Sequence, residues 1–198
     1  LDSYRVALDA GLVGGDVVAM IRRIDAAVAE IDGHGFEPTP SAIEPDLAAA
    51  IGYGSELWVK DETHNVSGSH KGRHLFGVAL RRMVDGSSGR LDDGRFAIAS
   101  CGNAALAATV MARALDHPID VFVPMWADAE VTDRIESLGG TVIRCDRDPE
   151  VPGDPTHHAM VEAIAAGDVA FSCQGTDTPS TIDGGRTLGW ELVDSLIT

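Results

Sequence analysis

The order of apolar runs between residues 96 and 172 most constrains what this chain can become. Residues 96–99, 119–123, 141–144 and 169–172 are short runs of strand formers. Between them, residues 103–115, 129–138 and 157–166 space their apolar side chains for one face of a helix. Strands separated by single helices pair in parallel through right-handed crossovers. The expected fold is therefore α/β, an open parallel-sheet three-layer αβα sandwich, and ligands of such sheets sit beyond the carboxyl ends of the strands.

Upstream, residues 16–32 carry Val17, Met20, Ile21, Ile24, Val28 and Ile31 at helical spacing and end at Gly33, a packing helix. Three prolines and a short helix over 46–51 then lead to a strand at Leu57, Trp58 and Val59. The following residues Asn65, Ser67, Gly68 and Ser69 are turn and cap formers. From His70 the residues Leu75, Phe76, Ala79, Leu80 and Met83 define a buried helical face, which leaves Arg73, Arg81 and Arg82 towards water. The chain has only two lysines, Lys60 and Lys71, and Lys71 falls in the first turn of that helix. There the helix dipole and free amides disfavour an ammonium and make its neutral, nucleophilic form easier to reach. The same amides can cradle an anion such as a phosphate. An amine beside a phosphate site points to an aldehyde cofactor that carries a phosphate. On spacing alone, a solvated lysine on an amphipathic helix is an equal reading.

A second motif follows the strand at 96–99, where Ser100, Cys101, Gly102 and Asn103 form a tight polar turn into an alanine-rich helix. Small residues let a carboxylate approach the helix amides, and the Asn103 amide can donate to a phenolate oxygen. Standing alone, the same turn reads more readily as an ordinary strand-to-helix connection capped by Ser or Asn.

Together the two motifs resemble those of the fold-type II pyridoxal-phosphate enzymes, the tryptophan synthase β-like superfamily. Lys60, Glu62, Gly68, Ser69, Lys71 and Arg73 match its lysine segment in order, and Ser100, Gly102, Asn103 and the alanines after it match its Ser-x-Gly-Asn-x-Ala loop. The resemblance implies pyridoxal 5'-phosphate as cofactor, with Lys71 forming the Schiff base and acting in catalysis. It implies that His70 approaches the cofactor phosphate and that Asn103 contacts the ring oxygen. Ser100, Cys101, Gly102 and Ala104 would line the substrate carboxylate site, joined by Gln174 after the last strand. It further implies residues 1–93 as part of a large cofactor domain, 94–175 as a small mobile αβα domain and 176–198 as the return to the large one. The superfamily's glycine-rich phosphate loop has no counterpart before Thr198, so the chain is expected to be truncated, an N-terminal half.

Among those enzymes the chain most resembles threonine synthase and the threonine or serine dehydratases. The function so implied is a lyase acting on a hydroxy or phospho-hydroxy amino acid. β-Replacement of the cysteine synthase kind is one alternative, and a non-catalytic fragment or binding module is another. The partners implied are a small amino-acid substrate and either a homo-oligomer or an absent C-terminal half.

Composition narrows the surroundings. A formal net charge of −16, spread along 198 residues, repels phosphate backbones, so no nucleic acid is expected, and it suits a salty cytoplasm. No long uncharged apolar stretch or secretory leader is present, which leads to no expected membrane contact. Cys101, Cys145 and Cys173 are odd in number and widely spaced, as in a reducing cytoplasm. Cys101 has no histidine near in sequence to serve as its base. His157 and His158 point about 100° apart on a helix and cannot share a metal, so none is expected. Gly184 and Gly185 read as a turn before a helix from about 185.

Overall fold

The computed structural model of the protein describes residues 2–87, 89 and 93–197. The N-terminal part holds α1 (Asp2–Asp9), α2 (Gly14–Asp32), β1 (Ser41–Ile43), α3 (Pro45–Ala50), β2 (Trp58–Lys60) and α4 (Lys71–Ser87). Gly33, at φ 90°, ends α2 in the left-handed conformation that L side chains resist. β1 and β2 form a two-stranded antiparallel sheet. Between β2 and α4 a 3₁₀ turn, Val66–Gly68, is started by Asn65, whose side-chain oxygen accepts from the Val66 amide.

Beyond α4 the alternation read from the sequence is present. β3 (Phe96–Ala99), α5 (Asn103–Ala114), β4 (Ile119–Pro124), α6 (Ala129–Ser137), β5 (Thr141–Cys145), α7 (Pro155–Ala165) and β6 (Val169–Ala170) follow in order, before α8 (Thr181–Ile197). The four strands are parallel, in the order β5-β4-β3-β6. Side-chain alternation divides the core between two faces. Phe96, Ile98, Val121 and Val123 pack with Ala105, Ala108 and Met111 of α5, whereas Ala97 and Phe122 pack with Met160, Ala163 and Ile164 of α7. Each large side chain so buried contributes about 1.5–3 kcal/mol. The result is the expected αβα sandwich, with α4 stacked outside α5 and α8 outside α4.

Several boundaries differ from the sequence reading. α4 continues through Ser87, four residues past Met83, the last apolar position of its face, and into the Gly-, Ser- and Asp-rich run 85–95, where Arg81 holds the Asp85 carboxylate at 3.0 Å one turn on. Ser88 and residues 90–92 of that run lie outside the described residues. α7 starts two residues early, where Asp154 caps the Thr156 amide at 2.9 Å and Pro155 takes the first position. Arg73, expected towards water, is 5% exposed.

α8 also begins four residues early, so Gly184 and Gly185 lie inside a helix and not in a turn. Their place is set by the crossing with α4. A Cβ on Gly184 would run into the Arg73 carbonyl, and one on Gly77 would come within 2.5 Å of the Gly184 amide nitrogen. A methyl at Gly77 therefore has to push two helix backbones apart. Gly77→Ala is expected to lower stability by about 1–3 kcal/mol despite its better helix propensity, read as a lower urea midpoint at unchanged slope. A stabilised variant would mean that the crossing is looser than described.

Candidate active site

The turn that delivers Lys71 is held from below by a buried charge cluster. Arg73, two residues into α4, sends Nε to Glu62 at 2.8 Å, and its two terminal nitrogens to both carboxylate oxygens of Glu191, at 2.5 and 2.9 Å. Thr187 and Thr39 accept further bonds from it at 3.1 and 3.0 Å. Lys60 adds a second cation, with its ammonium 2.7 Å from Glu191 and 2.5 Å from the Thr39 carbonyl. Glu62 in addition accepts from the Thr39 hydroxyl and, at 2.6 Å, from Asn65. Burial works against the charge of Glu191, yet bonds from Arg73, Lys60 and the Thr39 amide outweigh it and hold the carboxyl at about 2. Glu62 is lowered in the same way. The cluster joins β2, the turn, α4 and α8, so the three motif residues Lys60, Glu62 and Arg73 are a clamp under the site.

That clamp consumes one of the two lysines. The other, Lys71, is half-buried at the first residue of α4, and its backbone amide bonds to the Ser69 hydroxyl at 3.3 Å. Among the described residues no hydrogen bond or ion pair involves its ammonium. His70 and His74 flank it. Burial, then the charge of Lys71, then His74 push His70 below the ordinary histidine range, against Glu62. Burial lowers His74 too, with Lys71 adding to it and the Thr181 carbonyl opposing. Both rings are neutral near pH 7.

The open sheet places the second motif. β3 and β6 pair in parallel side by side, so the segments that follow them start at the same end of the sheet, where ligands of such sheets bind. Ser100, Cys101 and Gly102 leave β3 there, and Gln174 lies beyond β6 at the same end of the sheet. Gly102 precedes α5 without a side-chain cap, and a Cβ on it would meet nothing within 4 Å. The first amides of α5, those of Asn103 and Ala104, have no hydrogen-bond partner among the described residues.

A cleft of about 570 Å³ brings part of the expected set together. His70, Ser69 and Thr63 line it from the α4 side and Asn103 from α5, with Lys60 and Glu62 at its floor. Ser100 and Cys101 instead line a second cavity of about 510 Å³ at the ends of β3, β4 and β5, with Trp126 and Cys145. Gln174 is exposed and lines neither cavity; its backbone amide donates to the Ser172 hydroxyl and its carbonyl accepts from the Asp177 and Thr178 amides. Thr187 and Glu191 were not legible as partners of the lysine turn, because their links to Arg73 span 114 and 118 residues; Thr39 joins the cluster from 34 residues before Arg73. His74 carried only a spacing signal, one turn after His70.

Comparison with known proteins agrees with this geometry. A family model described as "Pyridoxal-phosphate dependent enzyme" matches residues 34–197. No curated protein matches. Among solved structures, maize serine racemase is 22% identical with a TM-score of 0.63, covering 88% of this chain and 49% of that one. Diaminopropionate ammonia lyase from Escherichia coli, caught with an aminoacrylate intermediate, is 22% identical with a TM-score of 0.65, covering 91% and 48%. Threonine deaminase isoform 2 from Solanum lycopersicum is 20% identical with a TM-score of 0.63, covering 92% and 49%. The chain spans about half the length of these structures, and at such identities they establish the fold alone. With the family match over most of its length, the chain belongs to the pyridoxal-phosphate dependent enzymes of fold type II, of which it represents the N-terminal half.

Proposed function

We propose that this chain carries the cofactor-linking half of a pyridoxal-phosphate-dependent lyase acting on a hydroxy or phospho-hydroxy amino acid, of the threonine synthase or threonine-serine dehydratase type. The observation that carries the reading is the Lys71 amine. It stands at a helix start beside a cleft, without a partner among the described residues, while Lys60 is fully engaged. The remaining donors fit the cofactor as well. Asn103 faces the cleft from the opposite wall, His70 lies next to Lys71, and the uncapped amides at Gly102 to Ala104 are open to an anion.

Bound there, pyridoxal phosphate supplies an aldehyde for the Lys71 amine and a conjugated ring that takes up negative charge from the substrate α-carbon. The roles of the chain's own groups are those that the family resemblance implies. The freed Lys71 amine takes the α-proton as general base. His70, being neutral, donates one N–H towards the phosphate. The Asn103 carboxamide donates to the ring oxygen, and the amides around Ser100, Cys101, Gly102 and Ala104 receive the substrate carboxylate, with Gln174 joining them on closure of residues 94–175. Closure excludes water from the reacting centre. The names of the structural neighbours, a threonine deaminase and an ammonia lyase, support elimination over replacement.

The same reading extends to partners. α8 presents Ile182, Trp190, Val193, Leu196 and Ile197 on one face, each at least half exposed. A stripe of this kind is unusual on a monomer and supports association with a second half of the fold or a second copy. No described helix is long and apolar enough to cross a membrane. Three free cysteines support a cytoplasmic setting.

Mixing the chain with pyridoxal phosphate, reducing with borohydride and mapping the modified peptide tests the central claim. A visible absorption band and a label on Lys71 are expected. A folded chain with no band and no label would refute cofactor capture by this half.

A further inference from the structure

One group beside the cleft is used neither by the ion cluster nor by the apolar core. Nδ1 of His74 lies 3.1 Å from the Thr181 carbonyl oxygen at the start of α8. A carbonyl only accepts, so Nδ1 carries the hydrogen and Nε2 is left as an acceptor. Gly185, one turn further along α8, lies against the same ring: a Cβ there would run into Cε1 and come within 2.9 Å of Nδ1. On its other side the ring meets His70 edge to face, with centroids 5.7 Å apart and planes at 74°. His70 in turn lines the cleft. A single imidazole therefore spans from the first turn of α8 to the wall of the site.

We propose that His74 is a positioning residue, anchored on Thr181 and given room by Gly185, which fixes the His70 ring in the cleft next to Lys71. A surface histidine needs neither a carbonyl anchor nor a missing side chain opposite it. The His70 ring makes no hydrogen bond among the described residues, so the edge contact with His74 is what restrains its rotation. The inference deepens the reading of the cleft as a cofactor site, and it makes the seating of α8 a condition for the shape of that site. The titratable groups acting on His70 are Lys71 and His74 on the α4 side and Glu62 across the turn.

The test follows the His70 imidazole by NMR titration in the whole chain, without cofactor. His74→Ala exposes His70 and removes its restraint, so its titration should move up by about half a pH unit or more. Gly185→Ala pushes the His74 ring from the other side and should move His70 in the same direction. His74→Phe keeps the ring edge and should restore part of the shift. Gly189→Ala, where a methyl meets nothing, is the control and should leave His70 unchanged. The borohydride label on Lys71 should fall several-fold in the first two variants only. An unshifted His70 in Gly185→Ala and His74→Phe-like behaviour of His74→Ala would overturn the proposal, as would an equal shift in Gly189→Ala. Should His74→Ala not fold, Gly185→Ala against Gly189→Ala decides. A His70 shift in a chain that captures no cofactor would keep the positioning role and remove the cofactor reading, so the two fail separately.

Discussion

Arg73→Ala is expected to cost about 3–5 kcal/mol of stability, a large part of the roughly 5–15 kcal/mol that holds a domain together. The reason lies in what remains after truncation. Glu62 and Glu191 would face one another across the space of the lost guanidinium, with Lys60 as the one cation still bonded to the pair. Arg73 itself is driven towards neutrality by burial but held charged by Glu191 and Glu62. Breaking such a pair from one side leaves buried charge, which costs more than the intact pair contributes. Arg73→Lys should recover a minor part, since an ammonium cannot bond both carboxylates in a fork. The pH dependence gives a second reading. Glu191 has a folded pKa of about 2 against an ordinary 4.5, and Glu62 is also lowered. Their contribution is fully present above the unfolded value and is lost as pH falls from about 4.5 towards 2. Without Arg73 those shifts shrink, so the gap in stability between variant and wild type should narrow from pH 7 to pH 3. A constant gap across that range, measured by urea unfolding, would show that the loss is one of packing and not of charge pairing.

Much of the fold was legible because it rests on local period. Strands over 96–99, 119–123 and 141–144 and the helices between them depend on side-chain spacing, and the structure has them within two residues. What was missed depends on contacts between distant segments. α1 is eight residues long, and its start is fixed by Asp183, whose carboxylate accepts from the Asp2 and Ser3 amides at 3.0 and 2.8 Å. β1 is three residues long and exists by pairing with β2. Arg73 read as a solvent-facing position of an amphipathic helix, because nothing local announces Glu191, 118 residues away, or Thr187 beside it. Gly184 and Gly185 read as a turn because the helix that needs their missing side chains, α4, lies a hundred residues earlier.

The candidate site divides in the same manner. Lys71 and Asn103 stood out by residue type at strand-to-helix turns and His70 by the family resemblance, and His70 and Asn103 share a cleft. Ser100 and Cys101 leave β3 directly and line another cavity, at the ends of β3, β4 and β5, whereas Asn103 reaches the cleft from the first position of α5. Where a loop residue points is set by the layer packed beneath it, which spacing does not encode. The proposed substrate-side roles of Ser100, Cys101 and Gln174 therefore require movement of the segments around them; Lys71 does not itself line the cleft but adjoins it through its neighbour His70, with an ammonium that has no partner among the described residues.

That asymmetry makes Lys71 the sharpest test. Lys71→Ala should abolish the visible band and the borohydride label with pyridoxal phosphate, and in any assembly of the chain that turns over substrate it should lower the rate by about 10²–10⁴-fold or more, since one amine serves as attachment point and base. The chain suits the experiment because its only other lysine is bonded to Glu191 and to the Thr39 carbonyl. Lys60→Ala should accordingly lose stability and keep its label on Lys71. Lys71→Arg separates charge from nucleophilicity: it preserves a cation at the start of α4 but offers no amine for the aldehyde. If electrostatic attraction of the phosphate were the whole role of position 71, the arginine variant would retain a cofactor band close to that of the wild type. If the amine is the role, arginine and alanine should be equally dark and unlabelled, with any difference confined to weak, reversible binding of the phosphate that salt removes.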